Sequence, residues 1–248
     1  MAIKRLAASR DGSAYDLPEP SYDTELVEVG RGTPCGEMLR RYWHPIATAE
    51  EVTDLPLSVR VLGEDLILFR TPQAGYGLVY PRCAHRGTSL LYGKIEERGI
   101  RCCYHGWLFD TRGRCLEQPC ERDCGKVAKY RQPWYPVEER YGLVFAYLGP
   151  LERQPVLPRY DVLETLAEDE KLVANSTFVG TDPARYPCNW LQIHENAMDS
   201  WHVFILHSTF SNVQFHNLMT IRPDIKWEST ENGSDSQDAR GPNHAAYS

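Results

Sequence analysis

Two short motifs, each pairing a cysteine with a histidine, restrict the fold of this chain more than any other feature of its sequence. Cys83 and His85 form a C-x-H motif, and Cys102 and His105 form a C-x-x-H motif after sixteen intervening residues. Two thiolates and two imidazoles can hold a metal ion, or a two-iron cluster in which one iron binds the cysteines and the other the histidines. The motifs therefore predict two loops that lie side by side.

A zinc site and a set of buried thiols are the alternatives to a two-iron cluster at these positions. A single C-x-x-H motif would support them, but two half-motifs on loops of a predicted β region favour the cluster. Gly87 and Gly106 follow the motifs and allow backbone amides to approach the cluster sulfurs. Neutral imidazoles in place of two thiolates raise the reduction potential above that of a four-cysteine cluster.

The sequence around these motifs is typical of short strands separated by turns. This pattern runs from about residue 56 to residue 149, with glycine and proline at the joints. The apolar segments 58–62 and 65–69 flank Gly63 and Glu64, which predicts a hairpin with those two residues in the turn.

A second group of metal-binding residue types lies about a hundred residues further on. Glu195, Asp199, His202 and His207 form an E-x3-D-x2-H-x4-H pattern in a run without glycine or proline, which predicts a helix over 189–207. On a regular helix the first three share one face, whereas His207 lies about 140° around from His202. The helix must therefore end, bulge or turn if both histidines bind one metal ion.

Two histidines and one carboxylate form the facial triad that holds non-haem Fe(II) and leaves positions open for O₂. The alternative is that these are ordinary helix residues, because the D-x-x-H-x4-H pattern alone is a weak signal. Its position after the cysteine–histidine motifs favours an iron site.

Together, the two sets of motifs resemble those of the α subunits of bacterial Rieske ring-hydroxylating oxygenases. The resemblance extends from about Gly32 to Trp227, and segments 32–45 and 62–70 are most similar to the phthalate dioxygenase and vanillate demethylase branch. Respiratory Rieske proteins are a poorer match, because they carry further cysteines where this chain has Thr88 and Tyr104.

The resemblance implies an α+β protein, with an all-β Rieske domain followed by the N-terminal part of a helix-grip α+β catalytic domain. It divides the chain into an N-terminal arm and short helix over 1–41, a Rieske domain over 42–155 and a partial catalytic domain over 156–248. The family's third iron ligand is an acidic residue far downstream of the histidine pair, and no acidic residue after His207 lies at a matching distance. We therefore expect a C-terminally truncated α subunit.

The resemblance also assigns roles to individual residues. The implied ligands of a [2Fe–2S] cluster are Cys83, His85, Cys102 and His105. The implied ligands of Fe(II) are His202 and His207. Asp199 matches the family's catalytic bridging acid, which hydrogen-bonds an iron-ligand histidine and the Rieske histidine of a neighbouring subunit.

The implied function is that of an oxygenase component of the EC 1.14 class. Electrons would pass from the Rieske cluster to Fe(II) for O₂-dependent hydroxylation or O-demethylation of an aromatic compound. The implied partners are an NAD(P)H-dependent flavin and iron–sulfur reductase or a ferredoxin, and further copies of the subunit, commonly as a trimer. The alternatives are a Rieske-type electron-transfer protein without a competent oxygen-activating site and, third, a zinc-binding module.

The charge balance excludes some other classes of function. The chain has 27 lysines and arginines against 34 acidic residues, a net charge of −7, which disfavours binding to nucleic acid or to an anionic membrane. No apolar run approaches the ~20 residues of a membrane-spanning helix, and no secretory signal is recognisable at the N-terminus. We therefore expect a cytoplasmic protein.

Eight cysteines in a reducing compartment favour metal ligands or free thiols over disulfides. Besides the two in the motifs, Cys115, Cys120 and Cys124 are closely spaced and form a candidate zinc site. They lack a fourth ligand, which favours free loop thiols.

Overall fold

The computed structural model describes six stretches of the chain, residues 21–121, 126–174, 188–210, 220–230, 233–239 and 245–247. The chain divides into two compact units, Met1–Arg185 and Tyr186–Ser248. No helix among the described residues is long and apolar enough to span a bilayer.

The first unit is built mainly from short antiparallel strands. Its helices are α1 (Thr24–Val27), α2 (Pro34–Leu39) and α3 (Asp161–Glu164). Its strands are β1 (Trp43–Thr48), β2 (Leu57–Val61), β3 (Glu64–Thr71), β4 (Gly75–Val79), β5 (Lys94–Glu96), β6 (Gly99–Arg101), β7 (Leu108–Phe109), β8 (Cys115–Glu117), β9 (Trp134–Tyr135), β10 (Val137–Arg140) and β11 (Leu143–Tyr147). They form three sheets, in the orders β1-β11-β10, β2-β3-β4-β9 and β5-β6-β7-β8.

Strand β3 is buried on both faces and separates two apolar clusters. Because side chains alternate along a strand, Leu66 and Leu68 point to one side and Ile67 and Phe69 to the other. The first pair packs in a cluster that includes residues of β11, and the second pair packs in a cluster that includes residues of β6 and β7. The sheet β5-β6-β7-β8 is thereby fixed against the centre of the unit.

The predicted hairpin is present, but its turn is one residue earlier than expected. Val61 pairs with Glu64, so the two turn residues are Leu62 and Gly63, and Glu64 belongs to β3. Both turn residues have positive φ, 45° for Leu62 and 78° for Gly63. This is the type I′ geometry that matches the twist of paired strands, and it places glycine second.

The second unit contains two short helices and a three-stranded sheet. Helices α4 (Trp190–Ala197) and α5 (Ser200–Phe204) are followed directly by a π-helix over Ile205–Phe210. Strands β12 (Asp224–Thr230), β13 (Gly233–Ala239) and β14 (Ala245–Tyr247) form an antiparallel sheet.

The prediction of one continuous helix over 189–207 is therefore wrong. The side chain of Asp199 accepts hydrogen bonds from the backbone N–H groups of Trp201 and His202 and caps the start of α5. A capping residue has extended backbone, so the chain cannot remain helical through Asp199. Glu195 lies in α4, before this break, and the helical face predicted for Glu195, Asp199 and His202 does not form.

Candidate metal centres

The first cysteine–histidine motif lies in the connection between β4 and β5. The backbone N–H of Cys83 donates to the carbonyl oxygen of Thr88 at 2.9 Å, and the N–H of Gly87 donates to the carbonyl oxygen of Cys83 at 2.8 Å. Gly87 has a φ of 72°, in the left-handed region that glycine adopts readily. These contacts fold the loop back on Cys83.

The second motif lies between β6 and β7 and has the same backbone conformation. The N–H of Cys102 donates to the carbonyl oxygen of Trp107 at 2.9 Å, and the N–H of Gly106 donates to the carbonyl oxygen of Cys102 at 3.0 Å. Gly106 also has a φ of 72°. Each cysteine therefore occupies the same position in its loop, although the two motifs differ in length.

The structure brings the four side chains of these motifs together as a pair of thiols and a pair of imidazoles. Cys83 and Cys102 are each only 3% exposed and belong to the apolar cluster beneath the loops. The rings of His85 and His105 are half-buried, and their centroids lie 4.7 Å apart. The imidazoles thus lie nearer to solvent than the thiols.

Electrostatics at the site favour the neutral forms of Cys83 and His85. Burial raises the pKa of the Cys83 thiol to about 11, and the neighbouring Cys102 side chain adds to the increase. Burial and the adjacent His105 lower the pKa of His85. A neutral imidazole is the form that binds a metal, and a buried thiolate needs a nearby cation to be stable.

This donor set fits a two-iron cluster better than a single metal ion. Two thiols and two imidazoles form separate pairs, as a Rieske cluster requires of its two irons. Within the part of the chain that the structure describes, no three histidine, cysteine or acidic side chains are arranged to hold one ion. A zinc site with four ligands from these motifs is therefore not supported.

Aromatic rings hold the two histidines in different ways. The indole of Trp107 stacks on His85, with centroids 4.5 Å apart and an interplanar angle of 1°. Trp107 is buried, and the described residues offer no hydrogen-bond partner for its Nε1. His105 packs instead against Tyr104, at a centroid distance of 3.9 Å, and Tyr104 is exposed.

Arg101 supports the second loop, and sequence reasoning did not identify it. Its Nη1 donates to the carbonyl oxygen of Gly106 at 2.6 Å. The same guanidinium forms a bidentate pair with Glu96, at 2.9 and 2.8 Å, and donates to Glu117 at 2.6 Å. A single arginine has no distinctive spacing in a sequence, so no signal pointed to it. A buried glutamine that contacts the first loop, Gln132, was missed for the same reason.

The second group of predicted ligands lies at the junction of α5 and the π-helix. The rings of His202 and His207 have centroids 5.2 Å apart. His202 lies in α5 and His207 lies in the π-helix, and this change of helix type is the departure from a regular helix that the spacing required. The two imidazoles thus share one side of the chain.

Asp199 contacts His202, but its carboxylate also caps the start of α5. Its Oδ2 lies 4.0 Å from Nδ1 of His202, which also contacts the backbone oxygen of Asp199. The described part of the second unit therefore supplies two imidazoles and a neighbouring carboxylate that is engaged in capping α5.

The cysteines considered for zinc do not form a site among the described residues. Cys115 is buried, and its thiol contacts the backbone oxygen of Glu117 at 3.6 Å, whereas Cys120 is exposed. Cys124 lies outside the described residues.

Comparison with known proteins places both loops within a recognised domain. Residues 42–132 match the family model of the Rieske [2Fe-2S] domain. The α subunit of phenoxybenzoate dioxygenase from Ectopseudomonas oleovorans is 55% identical over 91% of this chain and 57% of its own length. The oxygenase subunit of 5,5'-dehydrodivanillate O-demethylase from Sphingobium is 40% identical over 75% of this chain and 43% of its own length.

A solved structure has the same fold over most of the chain. The NdmA QL mutant with theobromine from Pseudomonas putida CBB5 superposes with a TM-score of 0.59, covering 83% of this chain and 63% of that one, at 24% identity. The chain spans about half the length of the two curated relatives.

Proposed function

Because the chain belongs to the Rieske oxygenase α subunits, in the branch of phthalate dioxygenase and vanillate demethylase, we propose that it carries the electron-transfer site of such an oxygenase. The site would hold a [2Fe–2S] cluster through Cys83, His85, Cys102 and His105. The observation that supports this most strongly is the pair of matching loops, which presents two buried thiols and two imidazoles separately.

When bound, such a cluster accepts and releases one electron at a time. The chain's own residues would set the conditions for that exchange. The apolar cluster around Cys83 and Cys102 excludes water from the thiolate side. The half-buried His85 and His105 face the more accessible side, where an electron donor or acceptor can approach. Arg101 holds the carbonyl oxygen of Gly106 and with it the backbone that carries His105.

We propose that the Rieske domain extends over residues 42–155, beyond the matched segment, with an arm over 1–41 and a partial catalytic domain over 156–248. A contact that closes the first unit supports its extent. The Nε1 of Trp43, at the start of this range, donates to the carbonyl oxygen of Pro155, at its end, at 2.9 Å.

In the second unit, His202 and His207 are the proposed ligands of Fe(II), and Asp199 is the proposed bridging acid. The proximity of the two rings supports the first assignment. A carboxylate ligand would complete the triad. With Fe(II) bound, the parent oxygenase would use O₂ to hydroxylate or O-demethylate an aromatic compound. It would take electrons from an NAD(P)H-dependent reductase or a ferredoxin and assemble with further copies of the subunit.

The first test is the metal content of the chain after iron-replete expression. We expect a brown protein with about two iron atoms and two acid-labile sulfides per chain, and a reduced EPR signal typical of a two-iron cluster with histidine ligands. Cys83→Ser and Cys102→Ser should abolish the colour. Cys103→Ser is the matched control, because Cys103 adjoins a proposed ligand but is exposed, and it should leave the colour unchanged.

A colourless protein that contains zinc would contradict the proposal for the first site. The second site is tested separately by His202→Ala, which should leave the cluster signal intact while removing any iron beyond the cluster. If wild type binds no further iron and His202→Ala changes nothing, the electron-transfer alternative is favoured for this chain.

A further inference from the structure

We propose that Gln132 is a positioning residue for the cluster site and that its buried amide sets the hydrogen bonding of the first ligand loop. This inference rests on the proposed function, because it concerns the environment of the cluster. Gln132 is 0% exposed and lies just before β9, outside both ligand motifs.

Within the part of the chain that the structure describes, the side chain of Gln132 makes its hydrogen bonds to the backbone of the first loop and its entry. Oε1 accepts from the N–H of Ala84 at 2.8 Å. Nε2 donates to the carbonyl oxygens of Tyr80 at 2.7 Å and Arg82 at 2.8 Å. One amide thus fixes three backbone groups within the five residues that lead up to and past Cys83.

The backbone of Gln132 is itself held in place, which makes the side chain a rigid support. Its N–H donates to the carbonyl oxygen of Gly113 at 2.7 Å, and the N–H of Tyr80 donates to the carbonyl oxygen of Pro133 at 2.9 Å. A Cβ on Gly113, whose φ is 70°, would lie 1.9 Å from the carbonyl oxygen of Gln132. The two segments therefore pack backbone against backbone.

The contact with Ala84 connects Gln132 to the chemistry of the cluster. Ala84 lies between Cys83 and His85, so its N–H belongs to the loop that would hold one side of the cluster. Hydrogen bonds to cluster sulfurs and solvent exposure both tune the potential of such clusters. In the wild type, Oε1 of Gln132 accepts from this N–H and offsets its positive dipole.

Loss of the amide should therefore raise the reduction potential. Without Oε1, the Ala84 N–H dipole is no longer offset, and a loosened loop admits more water. Both effects favour the reduced cluster, which carries one more negative charge than the oxidised cluster. We expect Gln132→Met to shift the reduction equilibrium about tenfold toward the reduced form, which is about 59 mV for a one-electron couple.

Gln132→Glu provides a variant with the opposite expectation. It keeps an acceptor for the Ala84 N–H, and ionisation of the new carboxyl adds negative charge near the loop. Its potential should therefore lie at or below the wild-type value. Potentials are measured by EPR-monitored redox titration of the full chain, together with iron content for each variant.

Gln118→Met is the matched control. Gln118 is another buried glutamine of the same unit, 3% exposed, and its Oε1 accepts from the N–H of Lys126 rather than from a ligand loop. Its loss should leave the potential close to that of wild type. An unchanged or lowered potential in Gln132→Met, or a shift of equal size in Gln118→Met, would overturn the inference. A wild type without a cluster would instead overturn the proposed function.

Discussion

The guanidinium of Arg101 connects the second ligand loop to two acidic residues. It donates to the carbonyl oxygen of Gly106 and pairs with Glu96 and Glu117. The hydrogen bond from Arg101 is the main reason that the pKa of Glu96 is lowered. A lowered pKa means that the folded state favours the carboxylate, so the stability gained from Glu96 is present at neutral pH.

We expect Arg101→Met to reduce the free energy of unfolding by about 1–2 kcal/mol at neutral pH, because it removes several charged hydrogen bonds at a half-buried site. Urea denaturation of the full chain measures the change. Arg98→Met is the control, since Arg98 is more exposed and pairs only with Glu117, at 3.4 Å, among the described residues. It should change stability by less than about 0.5 kcal/mol.

The difference in free energy of unfolding between wild type and Arg101→Met should also depend on pH. Protonation of Glu96 removes its charged pairing, so the difference should narrow as the pH falls through the lowered pKa of Glu96. A difference that stays constant from neutral into acid solution would show that Arg101 acts through its other contacts alone.

Residues whose spacing along the chain forms a motif could be predicted from the sequence. Residues whose partners are brought close only by folding could not. Cys83, His85, Cys102 and His105 stand out because a metal needs several ligands at short separations. Gln132 acts on Ala84 from 48 residues away, a partnership that depends on how β9 packs beside β4. No property of a lone glutamine in the sequence encodes that packing.

At the level of elements, the two ligand loops use the same glycine conformation in different surroundings. Gly87 and Gly106 have the same positive φ, which costs another residue about 1–2 kcal/mol. The space available for a side chain differs between the two glycines, however. A Cβ on Gly87 meets nothing within 4 Å among the described residues, whereas one on Gly106 would lie 2.8 Å from Cγ of Pro119.

We therefore expect both Gly87→Ala and Gly106→Ala to lower cluster occupancy, with the larger loss for Gly106→Ala. Iron and sulfide content per chain, with thermal denaturation of the purified proteins, provides the measurement. Gly30→Ala is the control, because a Cβ there meets nothing within 4 Å among the described residues and no left-handed conformation is involved. Equal losses for the two loop variants would mean that the contact with Pro119 is relieved at little cost.

The elements that sequence patterns predicted well are those with strong local signals. The hairpin of β2 and β3 follows from two apolar segments that flank a two-residue turn signal with Gly63, but the turn lies one position earlier than predicted. The apolar pattern alone does not show whether Glu64 pairs with Val61 or lies in the turn. The helix break at Asp199 was also missed, because the same aspartate is compatible with a helix interior or a cap until its hydrogen bonds are known.

At the scale of the whole molecule, the thiols of the proposed cluster are part of the core of the first unit. Cys83 and Cys102 pack with Phe69, Ile100 and Phe109 in one apolar cluster. Metal binding and folding should therefore be coupled. An apo form would keep the pair of thiols but lose the covalent link between the two loops.

Removal of iron by a chelator under reducing conditions should lower Tm by on the order of 10 °C. Differential scanning calorimetry of the holo and apo forms of the full chain tests this. His202→Ala serves as the control, because His202 belongs to the second unit and should leave the holo transition of the first unit in place. An unchanged Tm after complete iron loss would mean that the core alone determines stability.

The combination of an all-β region and a later mixed region was implied by the resemblance to the Rieske oxygenases, and the pattern of short strands over 56–149 was consistent with it. The α+β fold class agrees with the structure and with the solved relative. The packing of residues from the other two sheets against the two faces of β3 was not accessible, because a strand buried on both faces has no alternating polarity to indicate its neighbours.

The two ligand loops repeat one backbone conformation, but the surroundings of their histidines differ. A backbone motif that occurs twice creates two equivalent positions, and the extra residue before His105 makes them inequivalent. His85 is backed by the buried indole of Trp107, whereas His105 is backed by the exposed ring of Tyr104. The pseudosymmetry of the backbone is thus broken at the side chains, so the two histidines proposed to bind the same iron would not be equivalent ligands.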